Sequence, residues 1–342
     1  MEPDTPPPDH AFGDAHTTGT RVRRPPFRRR AAACGAGTAL AAVSLVVGFR
    51  AADADGPTPF PQFLAFLPWF LVPAAVGLGL AAVARNRFLL VWAVAAATVT
   101  TWYVRPYGPD RTDHRGPVVA HLEVLTSNVE FGRATGDLVA AIRREKPDLV
   151  FVEECDRTCS AALVSQVPQR DYPYRNVVEG NLAVGSAILS VHPMSNTAGI
   201  RSALAMPGAE ARIGGRTVRL QLVHPLPPVP GRIGAWRTEL AGVRAYAARA
   251  EGVPTLLAGD FNAGQDHAAF RRVLDAGGLH DSARLAGASR APSWPSAAPR
   301  PLGTQIDHVL VSDDFAVRGV RFLDFTGTDH RALIVELALH SG

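Results

Sequence analysis

Six short polar clusters in this sequence each close or open an apolar run: Asn128; Glu153 and Glu154; His224; Asp260 and Asn262; Asp307 and His308; and Asp329 and His330. Buried strands offer functional groups at their ends, where the chain leaves the core. Carboxylates and amides are hard oxygen donors suited to Mg²⁺ or Mn²⁺, and an imidazole near a carboxylate suits proton transfer. Singly, each cluster is weak evidence. Gly-Asp-Phe-Asn at 259–262 has the composition of a turn, and Asp281 beside His280 reads as solvated surface. Taken in order along the chain, they describe a site able to hold a divalent cation.

Such scattered residues meet only if a sheet gathers them. Apolar runs of strand length lie at 121–127, 148–152, 187–191, 217–223, 255–258, 306–311 and 332–337. Helical patterns separate them at 135–145, 160–166 and 233–250, the last with Ile233, Trp236, Leu240, Val243, Ala247 and Ala250 on one face. This alternation predicts an α/β or α+β sandwich without internal repeats. His308 alternates to the face opposite Asp307 and is expected to be structural.

The order Ser127-Asn128, Asp148 to Glu154, Gly259 to Ala263, Ile306 to Val309 and Thr328-Asp329-His330 resembles the endonuclease/exonuclease/phosphatase superfamily. That superfamily includes DNase-I-like nucleases, abasic-site endonucleases, sphingomyelinases and inositol-phosphate phosphatases. The resemblance runs from about residue 121 to the C-terminus. It implies a four-layer sandwich of two packed mixed β-sheets flanked by helices, with the site at one edge. It also implies roles. Glu154, Asn128 and Asp329 would serve the metal, Mg²⁺ or Mn²⁺. Asp260 and Asn262 would orient the attacking water and hold phosphoryl oxygens. His330 would be the catalytic histidine with Asp307 orienting it, and His224 would contact phosphate or protonate the leaving group. Glu153 stands where the family often has Gln, and is either a second ligand or a solvated neighbour. Ser293-Trp294-Pro295 is either a loop anchor or the counterpart of a family Thr-Trp-Pro that shapes the site. The implied reaction is in-line attack of water on phosphorus.

The first third of the chain has a different composition. Apolar stretches at 31–49, 59–84 and 88–104 each approach the ~20 residues that cross a bilayer. Trp102 and Tyr103 suit an interface and Trp69 suits packing within a span. Six arginines at 21–30, with Arg85 and Arg87 in the second turn, outweigh the loop between the first two stretches, where Arg50 faces Asp53 and Asp55. The positive-inside rule then puts residues 1–30, a proline-rich and disordered tail, in the cytoplasm and the remainder beyond residue 104 outside. The expected organisation is that tail, three transmembrane helices over 31–104, a linker over 105–119 and a catalytic domain over 120–342.

Charge narrows the partners. From Arg105 onward there are 26 basic and 25 acidic residues, so the catalytic part is nearly neutral and nucleic acid is the less favoured substrate. Three cysteines give neither a disulfide framework nor a zinc spacing; Cys155 and Cys159, four apart, are bridged or free. Short apolar spans before a compact catalytic domain resemble membrane proteins associated with teicoplanin and vancomycin resistance. The sequence therefore points to a phosphorylated lipid of the envelope, or another phosphoester, as substrate, with a link to glycopeptide resistance. An extracellular nuclease and a non-catalytic envelope sensor are the alternatives.

Overall fold

The computed structural model describes residues 27–113, 116–249 and 252–342. Residues 1–26 of the expected tail, among them Arg21, Arg23 and Arg24 of the arginine cluster, and Ala250 of the long helix lie outside the described residues. Residues 27–30, expected in the disordered tail, are instead helical and continue into the apolar run that follows.

Four helices come first: α1 (Phe27–Ala51), α2 (Phe60–Ala65), α3 (Leu71–Ala84) and α4 (Arg87–Val104). A 3-10 turn, Leu67–Phe70, joins α2 to α3. Three segments are long and apolar enough to cross a membrane: Phe27–Ala51, Leu67–Ala84 and Arg87–Val104. They pack through small residues, and a Cβ at Gly77 would come within 2.8 Å of Leu40. Between α3 and α4, Arg85 takes a left-handed conformation and Asn86 caps α4 by accepting from Leu89 N at 3.2 Å.

The second apolar stretch is divided, contrary to the single run expected over 59–84. Pro59, Pro61 and Pro68 remove backbone donors within ten residues, so α2 stops and the chain turns before α3 begins. Trp69 consequently lies in the first turn of the Leu67–Ala84 segment rather than mid-span; it is 39 % exposed and its Nε1 donates to Pro301 O at 2.8 Å.

The rest of the chain builds two six-stranded sheets. The first contains β1 (Val118–Asn128), β2 (Leu149–Glu153), β3 (Tyr174–Val178), β4 (Ser186–Ser190), β11 (Phe315–Asp324) and β12 (Arg331–His340), in the order β11-β12-β1-β2-β4-β3. The second contains β5 (Met194–Ile200), β6 (Met206–Ile213), β7 (Arg216–Val223), β8 (Thr255–Asp260), β9 (His280–Asp281) and β10 (Asp307–Val311), in the order β5-β6-β7-β8-β10-β9. Helices α5 (Thr135–Glu145) and α6 (Arg157–Gln166) cover the first sheet, while α7 (Ile233–Ala247) and α8 (Ala268–Gly277) cover the second; α9 (Ser282–Leu285) is a single turn.

Strand alternation explains the layering. Phe151, Val124, Leu256, Val309 and Val335 face the core between the sheets, whereas Val150, Val152 and Ile334 face α5 and α6, and Leu257 and Leu310 face α7 and α8. The sheets are therefore the two inner layers of a four-layer sandwich.

The connections then place the polar clusters. Pairs β1–β2 and β7–β8 are parallel, so within each sheet two strands end at the same edge. Strands β12 and β10 run antiparallel to β1 and β8, so their beginnings arrive at those same edges. Six polar tips from distant parts of the sequence thus converge.

Candidate active site

The tips of the two sheets meet over the inter-sheet core. From the first sheet come Asn128 at the end of β1, Glu154 just after β2 and His330 just before β12. From the second come His224 after β7, Asp260 at the end of β8 and Asp307 at the start of β10. Asp307 is the direct cross-strand partner of Asp260. Asn128 ties the two sheets together, its Nδ2 donating to Glu154 Oε1 and Asp260 Oδ2 at 3.2 Å each.

Backbone geometry fixes these side chains. Gly259 has φ +146°, and a Cβ there would lie 2.1 Å from Val223 O, so only glycine lets β8 approach β7 at the point where Asp260 emerges. Glu154 (φ 55°) and Asn262 (φ 47°) occupy left-handed conformations, which cost about 1–3 kcal/mol each for residues with side chains. Glu154 is followed at once by Cys155, which forms a disulfide with Cys159, and Asp156 caps α6 by accepting from Cys159 N at 2.8 Å. The turn carrying Glu154 is therefore closed covalently and by a helix cap.

His330 Nδ1 lies 3.0 Å from Asp307 Oδ2, and its Nε2 is 3.7 Å from both Asp260 Oδ2 and Asp329 Oδ1. Burial alone would lower the His330 pKa, but Asp307, Asp260 and Asp329 outweigh it and push the imidazole well above its ordinary value. Burial, opposed by His330, pushes the Asp260 carboxyl up. His224 is lowered to about 3 by burial and by the charge on His330, so near neutral pH it is an uncharged imidazole. Its Nε2 is 3.7 Å from Glu154 Oε1 and 3.8 Å from Asp260 Oδ2. A neutral ring can donate an N–H to an oxygen but holds no extra proton for a leaving group.

The residues expected to serve a metal are spread more widely than those expected to do proton chemistry. Among the described residues, the tight group able to hold an ion is Asp260, Asp307 and His330, all buried. Glu154 is half-buried, its Oε2 accepting from Phe131 N at 3.2 Å. Asp329 accepts from Trp294 Nε1 at 2.8 Å and is nearly half exposed. The donor set still fits a hard divalent cation. Carboxylates converge there, and among the described residues none of Glu154, Asp260 and Asp307 pairs with an arginine or lysine. Burial also pushes Glu154 up, as expected for a carboxylate lacking a cationic partner. Cys155 and Cys159 are consumed by their bond, so no thiolate competes.

Two expectations change. Glu153 is not a solvated neighbour: it is fully buried, with Oε1 accepting from Thr126 Oγ1 at 3.1 Å and Oε2 unpartnered. Burial, with Asp307 and Asp260 nearby, pushes its carboxyl well up. Asp281 is not solvated surface either; it is buried, it caps α9 through Ala283 N at 3.1 Å, and it meets His308 Nδ1 at 3.2 Å. Of the two readings of Ser293-Trp294-Pro295, the hydrogen bond from the Trp294 indole N–H to Asp329 fits the one in which the segment shapes the site. His308 packs against Phe270 with ring centroids 4.4 Å apart, away from the cluster.

Sequence reasoning overlooked the hydroxyls that brace the site. Thr328 Oγ1 donates to Asn128 O at 2.9 Å and accepts from His330 N at 3.0 Å. Ser293 Oγ accepts from Ile306 N and Asp307 N at 3.0 Å each. The signal for Thr328 was its position two residues before His330, the spacing of a local hydroxyl-to-backbone turn.

The model of the endonuclease/exonuclease/phosphatase family matches residues 125–330. The chain belongs to that family. Its members hydrolyse phosphoesters and usually use divalent metals, which agrees with a buried cluster of carboxylates and imidazoles at these sheet tips. Among solved structures, D. rerio TDP2 complexed with single-strand DNA product is similar at 14 % identity and TM-score 0.51, over 64 % of this chain and 99 % of that one. A functionally unknown conserved protein from Enterococcus faecalis V583 is similar at 17 % identity and TM-score 0.50, over 64 % of this chain and 100 % of that one. At such identities the likeness is one of fold. No curated protein matches the chain.

Proposed function

We propose that this family member is a membrane-anchored, extracytoplasmic, metal-dependent phosphoesterase acting on a lipid-linked phosphate of the cell envelope. The observation that carries the phosphoester chemistry is the meeting of Asp260, Asp307 and His330 with Glu154 and Asn128 where the two sheets end. The anchor is supported by three membrane-length helices that pack around an apolar core of their own. The outward side is supported by the arginines before the first span, and by the Cys155–Cys159 disulfide, since such bonds persist in oxidising compartments.

In this reading Asp260, its pKa raised, accepts the proton of the attacking water. His330, held protonated by Asp307, stabilises charge developing on the phosphoryl oxygens. Neutral His224 donates an N–H to one of those oxygens. Asn262 Nδ2 donates to Pro225 O at 2.9 Å, which leaves the remaining amide atoms for substrate. A cation bound by Glu154 with Asp260, Asp329 and Asn128 would neutralise phosphate charge. A contribution to glycopeptide resistance extends the proposal through the envelope lipid.

The test uses the full chain in detergent micelles, offered prenyl phosphates and diphosphates, single-strand DNA and duplex DNA, with and without chelator. Chelator-sensitive phosphate release from the prenyl substrates is expected. Cleavage of DNA alone would replace the lipid reading by the nuclease one. A folded protein that hydrolyses nothing would leave an envelope sensor. A reporter fused after Gly342 checks the side: activity only of a reporter restricted to the cytoplasm overturns the outward placement.

A further inference from the structure

A cavity of roughly 280 Å³ lies between the catalytic cluster and the helical bundle. Asn262 and His330 form its catalytic end, and Ala65 of α2 and Phe66 just after it also line the space. Trp294 closes one side, its ring centroid 6.5 Å from that of Phe66, and Val229 forms part of the rim at 40 % exposure. Helix α2 is held in place from both directions: Gln62 Nε2 donates to Pro228 O, and His267 Nε2 meets Pro61 O at 2.8 Å.

Several polar groups on the lining are already engaged. Both ring nitrogens of His267 are bonded, to Gly264 N and Pro61 O, and one amide N–H of Gln62 is used by Pro228. Away from Asn262 and His330 the surface offered to a ligand is largely apolar, as expected for a ligand pocket with a few polar groups at one end. The volume is below the ~300–1,000 Å³ that encloses a whole drug-sized ligand, so it takes only the first carbons of a chain.

We infer that α2, the helix between the first two candidate spans, is one wall of the substrate site, and that the cavity receives the apolar chain next to the scissile phosphate. The inference rests on the phosphoesterase reading and deepens it: the membrane region supplies part of the specificity as well as an anchor. An unbranched or prenyl chain attached to phosphate places its head at His330 and its first carbons beneath Phe66. A polar leaving group such as a nucleoside meets an apolar wall there.

The experiment uses the full chain in detergent, with Ala65→Phe filling the cavity and Val229→Asp charging its rim. Because Val229 is exposed, that variant keeps its fold even where the filled one does not. Calorimetric binding of farnesyl diphosphate is measured in chelator, and kcat/KM for farnesyl diphosphate is compared with that for ethyl diphosphate in Mg²⁺. Each folded variant is expected to lose at least tenfold in farnesyl binding and at least tenfold in the farnesyl-to-ethyl ratio of kcat/KM. Unchanged farnesyl binding in the folded variants, or an equal fall for both substrates, overturns the subsite. If the wild type binds farnesyl diphosphate through the cavity yet hydrolyses neither substrate, the subsite stands and the phosphoesterase reading fails.

Discussion

The two sheets contribute unlike halves to one site. The tips of the first are partly open, with Glu154 and Asp329 within reach of solvent, while those of the second, Asp260, Asp307 and His224, are buried. Yet the acid–imidazole pair crosses between them, because His330 belongs to the first sheet and Asp307 to the second. In the proposed reading the open half, with Asp260 beside it, exchanges an ion, while the His330–Asp307 pair holds protons. Neither functions alone, and the packing between the sheets, with Phe151 fully buried at its centre, sets the distances across the site.

The largest effect tests the closed half. His330→Ala should lower kcat by on the order of 10³, since positioned acid–base groups contribute about 10²–10⁴. Steady-state phosphate release measures it, and raising the metal concentration should not restore it. Glu154→Gln tests the open half: a loss of roughly 10–100-fold is expected, with partial recovery at high Mg²⁺. If both variants respond alike to added metal, the division between the halves fails.

Trp294→Phe removes the 2.8 Å hydrogen bond to Asp329 and keeps the ring. A bond to a charged group is worth about 1.5–3 kcal/mol, less where the partner reaches water, so a fall of about tenfold in kcat is expected with little change in stability.

The smallest effect concerns Glu153, where the raised carboxyl binds a proton in the folded state and releases it in the unfolded chain. Stability from this group is therefore present below the ordinary glutamate pKa and is lost as pH rises toward the raised value. Glu153→Gln should remove that slope. Relative to wild type its melting temperature should rise with pH above the ordinary glutamate range, by a few degrees, measured in chelator. A constant difference across pH would show that the carboxyl is not neutral when folded.

The same contrast between centre and edge governs what the sequence reveals. Strands β1, β2, β4, β7, β8, β10 and β12 are buried apolar runs, and all were legible. Strands β3, β5, β9 and β11 sit at the sheet edges, and β5 is exposed over most of its length, so they carry no continuous apolar signal. The interior strand β6 was missed as well, because Pro207, Gly208, Glu210 and Arg212 interrupt its apolar residues. Helix α8 was missed because Arg271, a buried arginine, interrupts its apolar stripe of Phe270, Val273 and Leu274. The site was readable because its residues lie at the ends of legible strands. Thr328 and Ser293 were not, since a hydroxyl bonding to backbone looks in sequence like any loop serine or threonine.

One feature of the loop after α1 bears on how the whole molecule moves. Asp55 accepts from Ala268 N at 2.7 Å and Ala269 N at 3.1 Å, seating that loop on the first turn of α8, while Asp53 pairs with Arg271 and Arg272. Beyond α4, Arg290 Nε reaches Val104 O at 2.8 Å and Tyr107 bonds Asp275. The segment after α4 is thus held against the domain at Val104 and Tyr107. If the helices cross a membrane as proposed, their tilt carries the cleft along, and the bundle sets its height above the lipid headgroups.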